Sequence, residues 1–149
     1  MNKEEIERLD EQGVKAWSDH DIDTFLGMLA DEFVWRDTGL PEPVTTREGM
    51  RELMQGWFKA FPDMRIRTLS RVVGEDAVAA ELEFTGTNTG PLEMGGVEIP
   101  PTGKSIKNQG AYFVRVKDGK VTDFSSHPDN AGMLMQLGLM PSETRTPTT

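Results

Sequence analysis

The sequence predicts an α+β fold, and three observations carry that expectation. Apolar residues recur with helical spacing as far as Phe61, the period changes to two from Met64 onward, and Asp118-Gly119 supplies a strong type I′ hairpin turn near the end. The expected order is helix, helix, strand, helix, four strands, helix. With 149 residues the chain can bury one substantial core, so a single domain is expected over residues 1–140.

Each element has its own signal. Asn2 followed by Glu5 has capping-box spacing, and Ile6, Leu9, Gly13 and Trp17 then fall on one face of a first helix. Asp21 caps a second, whose buried stripe is Ile22, Phe25, Leu26 and Leu29. A short strand from Phe33 to Asp37 follows. Thr46 caps the third helix, the clearest amphipathic one, with Met50, Leu53, Met54, Trp57, Phe58 and Phe61 on one stripe and Pro62 marking its end.

Beyond Met64, Val78, Ala80, Leu82 and Phe84 alternate with Glu81 and Glu83, and Gly74-Glu75-Asp76 provides the preceding turn. Gly86 to Gly103 is rich in glycine and proline and too broken for regular structure, which predicts either a lid bordering a pocket, with Met94, Val97 and Ile99 closing over a ligand, or an extended edge crossing. Strand Ser105–Val116 should pair through Asp118-Gly119 with Lys120–His127. The tail 141–149 is polar, with two prolines and four threonines, and is expected to be disordered.

Composition narrows the function. A net charge of −9 disfavours nucleic acid and anionic membrane surfaces, and suits a small apolar or polycyclic ligand. Without cysteine there is no disulfide, thiolate nucleophile or thiolate metal ligand. The charged opening Met1-Asn2-Lys3-Glu4-Glu5 lacks the apolar core of a signal peptide, and no apolar run approaches the roughly 20 residues of a membrane span, so a cytoplasmic protein is expected. A metal reading fails on count, since the two histidines, His20 and His127, are far apart and no clustered carboxylates accompany them. Gly103-Lys104-Ser105 lacks the first glycine of a P-loop, and there is no G-x-S-x-G elbow.

Several side chains can carry chemistry. Phe33, Trp35 and Asp37 share parity on one strand, so inward aromatics bring the carboxylate inward too, where an unpaired charge is costly. The alternative is a turn aspartate before Thr38-Gly39 that faces water. His127 and Asp129 flank Pro128 where the last strand meets the last helix. They form a candidate proton-shuttle pair, although Asp129 equally suits the N-cap of a helix that Gly138 ends. Asn108 and Tyr112 share an inward strand face and need partners there, either a ligand carbonyl or neighbouring strands. Trp17, Trp35, Trp57 and Phe61 are candidates for a wall against a flat ligand, or for ordinary core.

This ending, Lys117-Asp118-Gly119-Lys120, a short strand, His127-Pro128-Asp129 and a helix running into Met135-Gln136-Leu137-Gly138-Leu139, resembles the SnoaL-like polyketide cyclases, or ester cyclases, of the NTF2-like superfamily. The resemblance covers nearly the whole chain. It implies a curved antiparallel sheet with N-terminal helices, a long third helix and a C-terminal helix enclosing a conical pocket. It also implies a cofactor-free intramolecular aldol closure, with Asp129 as acid/base supported by His127 and Asn108. Asp37 looks like the general base of the related ketosteroid isomerases, and epoxide hydrolases and non-catalytic binding proteins share the superfamily. Where many relatives carry a tryptophan on the final strand, this chain has Ser125, with Ser126 beside it. A homodimer through the outer sheet face is expected, with Arg65, Arg67 and Arg71 facing Glu81 and Glu83 there.

Overall fold

The computed structural model describes residues 1–94 and 96–141. The elements run α1 Lys3–Ser18, α2 Ile22–Gly27, β1 Leu29–Asp37, α3 Arg47–Ala60, β2 Arg65–Val73, β3 Ala77–Thr87, β4 Leu92–Met94, β5 Val97–Ile99, β6 Ser105–Lys117, β7 Lys120–Pro128 and α4 Asn130–Gln136. The tail beyond Pro141 lies outside the described residues.

Local chemistry explains the element ends. Asn2 accepts from the Glu5 N–H at 2.8 Å and donates its own N–H to the Glu5 side chain at 3.1 Å, a complete capping box. Thr46 Oγ1 accepts from Gly49 N at 3.0 Å and starts α3. Phe61 leaves the helical region at the residue before Pro62, as the proline ring demands. At the β6–β7 turn Asp118 and Gly119 both have positive φ, 51° and 79°, which is the I′ conformation.

The main sheet has the order β1-β7-β6-β3-β2. Three of its pairings are antiparallel, but β1 runs parallel to β7, so the sheet is mixed rather than wholly antiparallel. No hairpin joins β1 to its neighbour. Its direction is set by α2 and α3, which deliver and remove the chain, and not by a turn. The core lies between the inner sheet face and the helices, with Ile6, Leu29, Met50, Met54, Phe61 and Leu137 almost fully buried.

Two bulges reset which side chains face that core. On β2 the pairing slips between Thr68 and Ser70, so Leu69 and Val72 turn outward and Arg71 turns inward. On β7 Val116 pairs with Val121 but Arg115 pairs with Asp123, which leaves Thr122 extra. Val121 therefore faces inward and, beyond the bulge, so do Phe124, Ser126 and Pro128.

The segment Gly86–Gly103 is more regular than its composition suggests. Its first residues complete β3, and β4 and β5 form a small antiparallel hairpin with Leu92 buried. The hairpin is tied at its root by the fully buried Asn88. Its Nδ2 donates to the carbonyls of Ala60 (3.2 Å) and Gly90 (2.9 Å), and its Oδ1 accepts from Thr102 N and Oγ1, both at 2.9 Å. None of the described residues of this segment lines the core cavity, so the expected lid is an anchored edge hairpin. Among the described residues no helix is long and apolar enough to cross a membrane.

Candidate active site

Between α1, α4 and the inner sheet face lies a cavity of about 140 Å³. Its walls are mostly apolar, from Ile6, Leu9, Trp17, Phe25, Trp35, Trp57, Phe84 and Phe124, and its polar lining includes Asp10, Asp37, Asn108, Tyr112, Ser126 and Asn130. Asp37, Ser126, Tyr112, Ala80 and Arg71 form one cross-strand row over the inner face, from β1 through β7, β6 and β3 to β2. Adjacent strands are about 4.8 Å apart, so Asp37 and Tyr112 sit about 10 Å apart along the row.

Asp37 is the carboxylate at one end of this row. Its Oδ1 accepts from Gly39 N at 2.7 Å. Burial is the largest influence on it and raises its pKa above the usual carboxylate range, while the Gly39 N–H, the Ser126 hydroxyl and the His127 charge pull the other way without cancelling it. A Cβ on Gly39 would lie 3.1 Å from Asn130 Nδ2 and 3.2 Å from Asp37 Oδ1, so the Asn130 amide and this carboxylate flank the same spot.

Toward the other end Asp10, on α1, is buried and organises a second polar group. Tyr112 Oη donates to its two oxygens at 2.9 and 2.8 Å, and Arg71 Nε donates to Oδ2 at 2.7 Å. Burial, followed by the Asp10 charge, pushes the Tyr112 phenol well above its ordinary pKa, so it stays a protonated donor. Asp10 is a site residue that the sequence pattern passes over, although the signal is present: it lies within the stripe Ile6, Gly13 and Trp17, where a carboxylate has no apolar reason to be. Arg71 needed the β2 bulge to reach it.

The aromatic side chains form a connected floor. Trp35 stacks on Phe124 with ring centres 3.8 Å apart and on Trp17 at 5.8 Å, and Phe124 stacks on Tyr112 at 5.1 Å. The Trp35 Nε1–H is buried and has no hydrogen-bond partner among the described residues. Leaving such a donor unpaired costs about 1–3 kcal/mol.

The other expected site residues fall as follows. Trp17, Trp35, Trp57, Asn108 and Tyr112 line the cavity, whereas Phe61 is fully buried behind it, against Trp57 and Phe84. Asn108 is satisfied within the protein, donating to the Asp129 carbonyl at 2.9 Å. Asp129 and His127 lie off the cavity wall. The Asp129 side chain is exposed and caps α4, accepting from Gly132 N at 2.8 Å. His127 is exposed on the outer sheet face, edge-on to Phe113 at 6.3 Å. The cause is the β7 bulge. Had the inward phase of Val121 continued, residues 123, 125, 127 and 129 would face the core, but Thr122 inverts it and Ser126 takes the inward place.

Helices leaning over one face of a curved sheet, with an acid-bearing apolar cavity between, define the ketosteroid isomerase-like, or NTF2-like, class of fold. The chain belongs to the SnoaL-like polyketide cyclase family, whose profile matches residues 7–137. Among solved structures it is similar to AclR of Streptomyces galilaeus, described as a candidate hydroxylase, at 28% identity and TM-score 0.81 over 97% of this chain and 87% of that one. It is also similar to IdmH of Streptomyces antibioticus, described as a candidate polyketide cyclase, at 28% identity and TM-score 0.73 over 89% and 97% of the two chains. A Catenulispora acidiphila protein of ketosteroid isomerase-like fold, solved with trimethylamine, shares the fold at 15% identity and TM-score 0.73 over 93% and 97%. No curated protein sequence matches the chain significantly.

Proposed function

We propose that the protein is a cofactor-independent acid/base enzyme in which Asp37 removes a proton α to a carbonyl of a small cyclic compound. The observation that carries this reading is the position of Asp37: a carboxylate on the wall of an apolar cavity, beside Trp35 and Ser126, with its pKa raised by burial. A base of that kind is poised between acid and base forms closer to neutral pH than a surface aspartate.

The chemistry balances without a co-reactant. The Asp37 carboxylate takes the α-proton, the C–H pair becomes the C=C bond of an enolate, and the carbonyl π pair moves to oxygen. In an intramolecular aldol closure the enolate carbon then bonds to a second carbonyl carbon of the same molecule, and the new alkoxide recovers the proton from Asp37. Return of the proton to a different carbon would give an isomerisation instead. A cavity of about 140 Å³ favours a ligand of one or two rings over a larger polycycle.

The test is proton–deuterium exchange at the activated methylene of 2-tetralone in D₂O, followed by NMR. The wild-type protein should accelerate it, Asp37→Asn should lose about 10²- to 10⁴-fold, and Asp129→Asn should stay near wild type. Loss in Asp129→Asn with Asp37→Asn unaffected would return the role to Asp129.

The expected homodimer also belongs to this reading, with a changed basis. Arg71 faces inward, and Arg67 and Lys107 pair with Glu83 of their own chain. What stands out from the outer face is the row Val72, Ala79 and Phe113, with Val72 71% and Phe113 58% exposed. A second copy covering that row makes the dimer, and light scattering at micromolar concentration that returns a monomer mass removes it.

A further inference from the structure

We propose that the Asn130 side-chain amide is the donor that receives the carbonyl oxygen of the ligand and stabilises the enolate formed there. The inference rests on Asp37 acting as the base and adds the group that makes enolate formation possible. Its starting point is a difference among the polar side chains of the cavity wall. Asp10, Tyr112 and Asn108 are each satisfied by protein partners, and the Ser126 hydroxyl is engaged with Asp37. The Asn130 amide has no hydrogen-bond partner among the described residues, although the residue lines the cavity and is half-buried. It is also within reach. Among the described residues Trp35 Nε1 is the one side-chain nitrogen or oxygen that is both closed off and unpaired, so the unpaired Asn130 amide is open to an incoming acceptor.

The amide stands beside the carboxylate. Asn130 Nδ2 and Asp37 Oδ1 lie 3.1 and 3.2 Å from one point, where a side chain on Gly39 would begin, so they are separated by at most the sum of those lengths. Gly39 does not have the positive φ that calls for glycine. What its missing side chain provides is room, since a Cβ there would press on both groups. Asp37 takes its hydrogen bonds from Gly39 N and Ser126, which leaves the Asn130 N–H groups free for a ligand.

The backbone that carries the amide is pinned. Asn130 is the first residue of α4. Just before it, Asp129 N donates to Gln109 O at 3.0 Å and Asp129 O accepts from Asn108 Nδ2 at 2.9 Å, while Met133 and Leu137 further on are buried in the core. A short side chain on such a backbone needs little reorganisation as charge develops on the ligand oxygen. The gap beside Asp37 admits a carbonyl oxygen about 2.9 Å from Nδ2 with the hydrogen of the adjacent carbon toward the carboxylate. As Asp37 takes that proton, the electron pair released ends on the carbonyl oxygen, where the amide N–H meets it. A neutral donor does this without placing a cation beside Asp37 that would weaken it as a base. The ligand class is then a small cyclic ketone with an α-C–H, held by one amide at the Asp37 end and otherwise by aromatic walls.

The test uses the whole protein with 2-tetralone. Asn130→Ala leaves the Asp129 cap in place and removes only the amide, so kcat for deuterium exchange should fall about 10²-fold with KM changed far less. The pH midpoint of kcat/KM should stay where it is, because the amide neither ionises nor bonds Asp37. In ¹H–¹⁵N spectra of the wild type, the side-chain amide pair that disappears in Asn130→Ala should shift as 2-tetralone is added. A fall in kcat accompanied by a moved pH midpoint means that Asn130 acts through Asp37, and overturns the donor. So does an unchanged kcat in Asn130→Ala beside an inactive Asp37→Asn, which leaves the base assignment standing. An amide shift in a wild type that shows no exchange keeps the carbonyl contact and overturns the base. A wild type with neither response overturns both.

Discussion

Arg71 Nε donates to Asp10 Oδ2 across 2.7 Å, joining the inner face of the edge strand β2 to the buried stripe of α1. Asp10 holds that guanidinium and the Tyr112 hydroxyl together, so it is the hub of the cavity's far end. Removing Asp10 leaves the largely buried guanidinium only the exposed Glu11, 3.7 Å away, for compensation. Asp10→Asn should therefore cost about 3–5 kcal/mol in urea denaturation. Combining it with Arg71→Met should recover much of the loss, because the stranded cation is removed as well. Additive losses in the double variant would show that the two side chains stabilise the fold separately.

Asp37 gives stability a pH dependence of definite sign. Its folded-state pKa lies above the unfolded value, chiefly through burial, so the native state retains a proton that the unfolded chain releases. The contribution is fully present below the unfolded value, about 3.9, is lost as pH rises through the raised folded value, and stays lost above it. Asp37→Asn should flatten that decline and be the more stable protein at neutral pH. Urea midpoints measured across the acidic range check this. In the same range kcat/KM for 2-tetralone exchange should rise with pH as the base ionises.

Asp129 acts on stability through the start of α4. Asp129→Ala should cost about 1 kcal/mol, the usual cost of losing an N-cap, while Asp129→Asn keeps an acceptor for Gly132 N and costs little. Thermal melts and amide exchange in α4 distinguish the two. Equal losses for both variants would mean that the negative charge matters more than the cap.

Gly90 holds the β4–β5 hairpin against α3. A Cβ there would lie 1.8 Å from the Lys59 carbonyl oxygen, inside any possible contact. Gly90→Ala should force the hairpin off the end of α3 and speed amide exchange at Asn88, Thr102 and Gly103. In the wild-type protein those amides should be protected, which a freely moving lid would not allow. Wild-type-like exchange in Gly90→Ala would show that the backbone there yields without cost.

What the sequence determined by itself was mostly local. The capping box of Asn2 and Glu5, the Thr46 cap, the stop at Pro62 and the Asp118-Gly119 turn each follow from hydrogen bonds and sterics within a few residues, and the structure has all four. The shared inward parity of Phe33, Trp35 and Asp37 was equally readable, because burial alternates from Phe33 to Asp37 and the pairing with β7 is continuous from Val34 onward. Tertiary structure decided which other polar groups share the cavity with Asp37. Thr122 and Leu69 are ordinary residues that nothing in the local pattern marks as bulges, yet one inserted residue inverts every side chain beyond it. The inversion on β7 sends His127 outward and Ser126 inward, and that on β2 delivers Arg71 to Asp10. A bulge forms where the partner strand and the helices above leave room for the extra residue. That is a property of the packed sheet, and no single strand carries it.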